Sequence, residues 1–447
     1  IVNNAEVEFA QASAGTYAGA MSGTGGLTKT GAGTLTLTGT NTYTGTTNLN
    51  AGTIKVGNDS ALGTGALAMA TGTTLETSAA TQTLANAVAI TGTGTVDTNT
   101  GNTLTLGGVV SGGALTKIDT GTLALTGANT YTGGTTLSGG TIQVGSNTAL
   151  GTGALAMASG TTLDAGATNR TLANAVGITG TSTVDTNATT LTLGGVVSGS
   201  GTLTKIDSGT LSLTGANTYA GGTTLSGGTI QVGTNTALGT GALAMAADTT
   251  LKSGTNNLTL ANAVGITGAG TRTVDTNGNA LTLGGVVSGD GALAKTGTGT
   301  LTLTGTNTYT GGTTVSAGRL TGTTSSVQGA IVNNAAVEFA QASTGTYAGA
   351  MSGTGALTKT GAGTLTLTGT NTYSGGTTVS AGGLTGNTTS LQGAIVNNAA
   401  VEFAQATAGT YAGAMSGTGA LTKTGAGTLT LTGTNTYSGG TTVSAGG

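Results

Sequence analysis

Tyrosine is the residue of this sequence whose type and spacing most readily suggest chemistry, because it recurs in a fixed Asn-Thr-Tyr context. Exposed rings in such an array could form platforms for sugar rings, while buried rings would pack at a corner of the fold and cap a turn. Both interpretations stay open for the six tyrosines, which are Tyr43, Tyr131, Tyr219, Tyr309, Tyr373 and Tyr437. The asparagine two residues before each of them is predicted to hold a tight turn; these are Asn41, Asn129, Asn217, Asn307, Asn371 and Asn435.

Carboxylates recur as well, and they could serve as metal ligands or as acid–base groups. Asp97, Asp185 and Asp275 occupy one place in a repeated TVDTN segment. Either role would need a second carboxylate nearby, and none is close in sequence, although an adjacent turn of the chain could supply one. We interpret these residues as Asx turns at a corner. The matched glutamates are predicted to face outward beside buried phenylalanines; the two sets are Glu8, Glu338 and Glu402, and Phe9, Phe339 and Phe403.

Lysine recurs in LTK or LAK segments, which read as strands. The six lysines are Lys29, Lys117, Lys205, Lys295, Lys359 and Lys423. Asp119 and Asp207 follow two of them at a spacing of two residues, which predicts ion pairs on one exposed strand face. Such pairs contribute roughly 0–1 kcal/mol, so the lysines would serve mainly to discourage lateral pairing of strands.

The composition argues against catalysis and against several kinds of ligand. The chain has no His, Cys, Pro or Trp, only 6% charged residues and a formal net charge of −3. It therefore lacks an imidazole base and the usual structural zinc ligands, and its weak charge does not fit nucleic acid. The Gly-x-Gly segments lack the helix of a dinucleotide site, and no apolar run is long enough for a membrane helix. We predict no enzyme activity, no cofactor, no metal and no membrane span.

Internal repetition explains why each of these residues recurs. The phrase GTLTLTGTNTY at 33–43 returns at 299–309, 363–373 and 427–437, and near copies lie at 121–131 and 209–219. The spacing predicts long units at 33–120, 121–208 and 209–298, short units at 299–362 and 363–426, a partial short unit at 1–32 and a truncated unit at 427–447. We expect about four turns in a long unit and about three in a short one, all within a single continuous solenoid over 1–447.

The fold class follows from period-two patterning between glycine-rich turns. In Thr34-Leu35-Thr36-Leu37 the leucines are predicted to point inward and the threonines outward. The 88 glycines disfavour helix, whereas threonine suits strands. A short turn cannot bury its own apolar side, so neighbouring turns must cover it. We predict an all-β, right-handed parallel β-helix (β-solenoid) of about 20 rungs, each of about 21–22 residues.

The repeated phrase also resembles a known family. GLTKTGAGTLTLTGTNTYTG (26–45) and ALTKTGAGTLTLTGTNTYSGGTTVSAG (356–382) are similar to the autotransporter-associated β-strand repeat found in passenger regions of bacterial type V secreted proteins. The resemblance covers about a third of the chain. It implies a right-handed parallel β-helix, export through the outer membrane, and display at the cell surface or release from it.

These observations favour a structural function. The leading hypothesis is a non-enzymatic extracellular fibre segment that acts as the stalk or scaffold of an autotransporter-type surface adhesin. One alternative is a self-associating filament or biofilm-matrix component, and a second is a repetitive glycan-binding surface. The expected partners are the chain itself, end to end or laterally, and cell-surface or matrix glycans, with no nucleic acid.

Overall fold

The computed structural model describes residues 1–447, and its regular elements are short β-strands that pair in parallel with strands of adjacent turns. The fold is an all-β parallel β-solenoid of about 22 turns without a helix, which confirms the predicted class. Two compact units can be distinguished. Unit 1 comprises Ile1–Ile230 and Thr236–Gly241, and unit 2 comprises Gln231–Asn235 and Ala242–Gly447.

Unit 1 contains 25 complete strands. They are β1 (Glu6–Ala10), β2 (Gly15–Tyr17), β3 (Gly26–Thr30), β4 (Thr34–Leu37), β5 (Thr47–Leu49), β6 (Thr53–Val56), β7 (Leu67–Met69), β8 (Thr73–Thr77), β9 (Thr81–Leu84), β10 (Val88–Asp97), β11 (Thr103–Leu106), β12 (Val110–Ile118), β13 (Thr122–Leu125), β14 (Thr135–Leu137), β15 (Thr141–Val144), β16 (Leu155–Met157), β17 (Thr162–Asp164), β18 (Arg170–Leu172), β19 (Val176–Ile178), β20 (Thr181–Asp185), β21 (Thr190–Leu193), β22 (Val197–Ser198), β23 (Thr202–Ile206), β24 (Thr210–Leu213) and β25 (Thr223–Leu225).

Unit 2 contains 26 complete strands, and β26 (Thr229–Val232) includes the unit boundary. The strands are β27 (Leu243–Met245), β28 (Thr249–Ser253), β29 (Leu258–Leu260), β30 (Val264–Gly265), β31 (Thr271–Asp275), β32 (Ala280–Leu283), β33 (Val287–Ser288), β34 (Ala292–Thr296), β35 (Thr300–Leu303), β36 (Thr313–Val315), β37 (Arg319–Gly322), β38 (Ile331–Asn333), β39 (Ala336–Ala340), β40 (Gly345–Tyr347), β41 (Met351–Ser352), β42 (Ala356–Thr360), β43 (Thr364–Leu367), β44 (Thr377–Val379), β45 (Gly383–Gly386), β46 (Ile395–Asn397), β47 (Ala400–Ala404), β48 (Gly409–Tyr411), β49 (Met415–Ser416), β50 (Ala420–Thr424), β51 (Leu429–Leu431) and β52 (Thr441–Val443).

The core consists of columns of apolar side chains, one from each turn. Leu35 lies beside Ile54, Ile54 beside Leu75 and Leu75 beside Val96 in the register of successive strands. All four side chains are at most 1% exposed, and the alternating threonines of β4 face outward. The period-two prediction for the repeated phrase is therefore confirmed. At roughly 25 cal/mol per Å² of buried apolar surface, these columns provide the main stabilisation of each turn.

The number of residues per turn varies more than the sequence predicts. The strand register joins Arg319 to Ala336, which is a turn of 17 residues, and Thr249 to Arg272, which is a turn of 23 residues. With about 22 turns in 447 residues, the mean is close to 20. The predicted 21–22 residues per turn is therefore slightly too large, because some corners are tighter than the repeat spacing suggests.

A long unit does not contain a whole number of turns. Four steps of register lead from Thr122 through Thr141, Thr162 and Thr183 to Thr204. The residue that corresponds to Thr122 in the next unit is Thr210, six residues further along the chain. Each long unit thus exceeds four turns by one strand. The repeated phrase consequently moves to a different set of stacked strands in every unit.

The three phrase copies of unit 1 show this displacement. Three sets of successively paired strands are β4-β6-β8-β10-β12, β9-β11-β13-β15-β17-β20-β23-β25, and β18-β21-β24. The phrase occupies β4 in the first set, β13 in the second and β24 in the third. Equivalent residues of unit 1 therefore lie on three different sides of the solenoid.

The short repeats, which lie in compact unit 2, also exceed a whole number of turns. Three steps of register lead from Thr364 through Gly383 and Ala400 to Ala420, whereas the equivalent of Thr364 in the next unit is Thr428, eight residues later. The phrase copies in β35, β43 and β51 accordingly belong to three different sheets. A surface feature that recurs once per unit cannot form a single row along one face.

Candidate functional site

The tyrosines of the repeated phrase are internal. Five of the six, Tyr43, Tyr131, Tyr219, Tyr309 and Tyr373, are at most 1% exposed, and Tyr437 is partly exposed. The proposed aromatic platforms for sugars are therefore wrong for the five buried rings, which present no face to solvent. Their burial follows from stacking, because the next turn covers each ring.

Each buried hydroxyl has a partner within its own turn. The Tyr219 Oη atom lies 2.6 Å from Thr223 Oγ1, four residues later, and the same pair joins Tyr43 and Thr47 at 2.5 Å. Burial raises the pKa of Tyr219 to about 12, although the threonine contact acts in the opposite direction.

Gly151 shows why the turn that covers a buried tyrosine ring needs glycine. Its φ is 59°, and a Cβ atom there would lie 2.2 Å from the carbonyl oxygen of Tyr131.

The asparagines of the phrase link three successive turns. Asn217 Oδ1 accepts a hydrogen bond of 2.7 Å from the Val197 backbone N–H, and its Nδ2 donates one of 2.7 Å to the Ala237 carbonyl. Asn129 makes the same contacts with Val110 and Ala149. The predicted role in a tight turn is thus corrected: these buried side chains satisfy backbone groups of the turns before and after their own. A buried backbone group without a partner costs about 1–3 kcal/mol.

The repeated lysines are also internal, which corrects their predicted place on an exposed strand face. All six are at most 2% exposed. Lys117 lies between Val96 and Leu137 in the register of adjacent turns, so its aliphatic part belongs to an apolar column. The alternation in Leu115-Thr116-Lys117 indicates that Lys117 faces inward with Leu115, because residues two apart on a strand face the same side.

Each lysine ammonium donates to three backbone carbonyls. Lys205 Nζ lies 2.6 Å from the Ile206 oxygen, 2.7 Å from the Asp207 oxygen and 3.1 Å from the Gly227 oxygen. The first acceptor is the last residue of the lysine strand, the second belongs to the bend that follows it, and the third belongs to the next turn. An ammonium group has three donors, so it matches three carbonyls without a carboxylate. The predicted Lys–Asp pairs on one exposed face are not formed.

Burial lowers the pKa of Lys117, Lys205 and Lys295 to about 8, while nearby aspartates oppose the shift. These side chains still carry charge at neutral pH. All three donors of each ammonium are engaged with backbone carbonyls, one of them on the next turn, so these lysines are not available as nucleophiles or bases at the surface.

The aspartates of TVDTN adopt the predicted Asx turns. Asp97 Oδ1 accepts a hydrogen bond of 2.9 Å from the Asn99 backbone N–H, and Asn99 has a φ of 50°. Asp185 and Asp275 make the same contact with the residue two positions later. Burial, followed by repulsion from nearby carboxylates, raises the pKa of Asp97. The structure contains no group of three or more acidic side chains arranged to hold a metal ion.

The glutamates of VEFAQA are placed as predicted in unit 2. Phe339 is fully buried and packs against Tyr347 with ring centroids 5.0 Å apart, and Glu338 on the same strand faces outward. Phe403 is buried in the same way beside Glu402, whereas Phe9 is only partly buried. These two glutamates are the outward-facing acidic groups of the VEFAQA segments in unit 2.

Arg272 is a buried cation that the sequence interpretation missed. It is 2% exposed and replaces the Gly94 and Ser182 of the other long units. Its guanidinium donates to the carbonyls of Thr267 and Gly268, among others, within the loop that carries the two-residue insertion. Its spacing of two from inward-facing Val274 is the signal that would have found it.

Comparison with known proteins agrees with this geometry. The Passenger-associated-transport-repeat family matches the chain at residues 27–56, 115–144, 203–232, 293–321, 357–385 and 421–447. These six segments contain the repeated lysine, asparagine and tyrosine, which are buried in the first five. The chain therefore carries six autotransporter-associated repeats, as the resemblance of the repeated phrase predicts.

A particular relative is the Adhesin BmaC autotransporter of Brucella suis biovar 1 (strain 1330). The two sequences are 46% identical over 186 residues, which is 41% of this chain and 5% of that protein. The match thus spans a small part of a far longer relative. No solved structure matches the chain, and the chain has no helix that is long and apolar enough to cross a membrane. The repeats indicate a cell-surface or extracellular location.

Proposed function

We propose that the chain is a non-enzymatic spacer that forms part of the stalk of a bacterial surface adhesin. The observation that carries this proposal is the use of the repeated polar side chains. In the five repeats whose tyrosine is buried, the lysine and the asparagine of the phrase donate to backbone carbonyls of an adjacent turn, and the next turn covers the tyrosine ring. The repeated residues are therefore those that stabilise the stacking of turns. Each additional turn adds about 4.8 Å of length.

The displacement of the phrase around the solenoid supports the same function. A binding surface gains avidity when identical sites share one face, whereas here equivalent positions of unit 1 lie on three sides. The relative named an adhesin autotransporter matches over 186 residues, which are only 5% of its own length. In our proposal, adhesion itself belongs to other parts of a longer protein. Self-association into filaments and glycan binding stay predictions without direct support.

An adhesion assay with two arms tests the spacer function. In bacteria that display the chain, the 447 residues are replaced by an unrelated β-solenoid with the same number of turns, and attachment to host cells is expected to be unchanged. In the second arm, the purified chain is added as a competitor and is expected not to reduce attachment. If the purified chain blocks attachment, or if the matched replacement abolishes it, the chain itself binds the target and the spacer function is wrong.

A further inference from the structure

A groove of about 220 Å³ crosses the outward side of strands β43, β45, β47 and β50 in unit 2. Gly383, which has no side chain, lies at the floor of the groove, and Glu402 lies at one side of it. The remaining polar wall consists of four threonines, Thr364, Thr385, Thr422 and Thr424. The groove is therefore a small depression with one carboxylate and several hydroxyl groups.

The equivalent place one unit earlier is filled by an arginine. There the register aligns Thr300, Arg319 and Ala336, as it aligns Thr364, Gly383 and Ala400 around the groove. Arg319 Nη1 donates to Glu338 Oε2 at 2.7 Å, and Glu338 corresponds to Glu402. The two repeats are nearly identical, and one of their differences places Arg319 where the groove has Gly383.

The two glutamates differ in what their oxygens accept. In both units the Oε1 atom accepts a threonine hydroxyl from the following turn, at 2.7 Å for Glu338 and 2.6 Å for Glu402. The Oε2 atom of Glu338 accepts a hydrogen bond from the Arg319 guanidinium. The Oε2 atom of Glu402 has only the Thr385 hydroxyl, at 3.3 Å. Glu402 therefore has the capacity to accept one more strong donor from the side of the groove.

We propose that this groove is a docking site for an arginine side chain of a partner protein. Arg319 shows, in the same backbone setting, the chemistry that fits: a guanidinium that donates to the Oε2 atom of the glutamate. The acidic chain, with a net charge of −3, favours a basic partner segment.

A second copy of the chain is a poorer source of this arginine. Of its 11 basic residues, the six repeated lysines and Arg272 are buried, and Lys55, Lys252 and Arg319 are in ion pairs. Only Arg170 stays outside these groups. The partner is therefore expected to be a different protein with an exposed arginine.

Methyl NMR on the full chain labelled at alanine tests the site directly. Ala400 lines the open groove, and Ala336 occupies the same position beside Arg319. N-acetyl-argininamide is expected to shift the Ala400 methyl signal and leave the Ala336 signal in place. N-acetyl-citrullinamide, the uncharged analogue, is expected to bind at least about fivefold more weakly, which is the effect of an ion pair worth about 1 kcal/mol.

Three variants complete the test. Glu402→Gln is expected to weaken binding by about fivefold, and Gly383→Arg is expected to abolish the Ala400 shift by filling the groove. Arg319→Gly is expected to open a second site, so that Ala336 also shifts. Gly383 has no left-handed φ, and the three atoms nearest to a Cβ there all belong to the Thr364 side chain, the closest at 2.9 Å. A rotation of that side chain makes room, so the arginine variant should fold.

Failure of any one arm has a defined meaning. Equal shifts with the citrulline analogue, no effect of Glu402→Gln, or no new shift in Arg319→Gly would each overturn the site. A concentration-dependent Ala400 shift without ligand that disappears in Arg170→Gln would overturn the choice of partner and assign the groove to a second copy of the chain.

Discussion

Replacement of Lys205 by methionine is expected to destabilise the surrounding turns by about 3 kcal/mol. The change removes three hydrogen bonds from a charged donor to the carbonyls of Ile206, Asp207 and Gly227, each worth about 1.5–3 kcal/mol. It also removes the cost of burying an ammonium group, which is several kcal/mol. Methionine keeps the apolar stem between Val184 and Leu225, so the loss comes from the unpaired carbonyls.

Hydrogen–deuterium exchange is the suitable assay, because a stacked array opens locally and does not unfold as one unit. A loss of about 3 kcal/mol should accelerate exchange in peptides covering 202–232 by about 100-fold. Peptides covering 26–56, which contain the intact Lys29 site, serve as the internal control. Residues 26–56 and 202–230 belong to unit 1.

Asp207→Asn is the matched control variant. The structure uses the Asp207 backbone carbonyl, so removal of the carboxylate charge should change exchange less than tenfold. Asparagine also tolerates the φ of 63° at this position. If the two variants have equally small effects, the buried ammonium does not hold the turns together, and the role assigned to the six lysines is wrong.

Three further outcomes are expected. Asn217→Ala leaves the Val197 N–H and the Ala237 carbonyl unpaired and should cost about 2–5 kcal/mol, measured by local hydrogen exchange; a loss below 1 kcal/mol would contradict the link between turns. Tyr219→Phe removes one internal hydrogen bond and should lower the free energy of unfolding by about 1 kcal/mol. Its signal on a glycan array should equal that of the unchanged chain; a lower signal would show that the Tyr219 ring is accessible to glycans. Stability should rise from about pH 8 to 10, because the unfolded chain holds protons on lysine that the folded Lys205, with its pKa of about 8, has released. Stability should then fall from pH 10 to 12, because the folded Tyr219, with its pKa of about 12, keeps a proton that the unfolded chain releases. Thermal unfolding across this range checks both limbs, and a profile that declines steadily from pH 8 would contradict the lysine assignment.

The strand pattern was accessible from the sequence because it depends on local geometry. Side chains of a strand alternate between two sides, so Leu35 and Leu37 had to be buried together. The Asx turn at Asp97 was predictable for the same reason, since its hydrogen bond spans only two residues. The repeat itself then indicated that one turn covers the next.

The contacts of the lysines and asparagines were misjudged because partners such as Gly227 and Ala237 lie about 20 residues away, on other turns. Lys205 was interpreted from its nearest sequence neighbour with opposite charge, although alternation already placed it on the side of Leu203. Tyr219 was left between two interpretations because only the covering turn shows which of them holds. Arg272 was missed because its acceptors are carbonyls of a loop that the sequence pattern does not describe.

The sequence alone determined that the chain is a stack of similar parallel turns, since short amphipathic strands with this repetition cannot bury their apolar sides in another way. Only the tertiary structure decided which way the repeated phrase faces. The direction depends on the number of residues in each turn, which varies slightly at every corner. These differences add up, so that four turns from Thr122 end six residues before the equivalent residue of the next repeat. The same accumulation places Gly383 and Glu402 in one groove, and no local pattern specifies it.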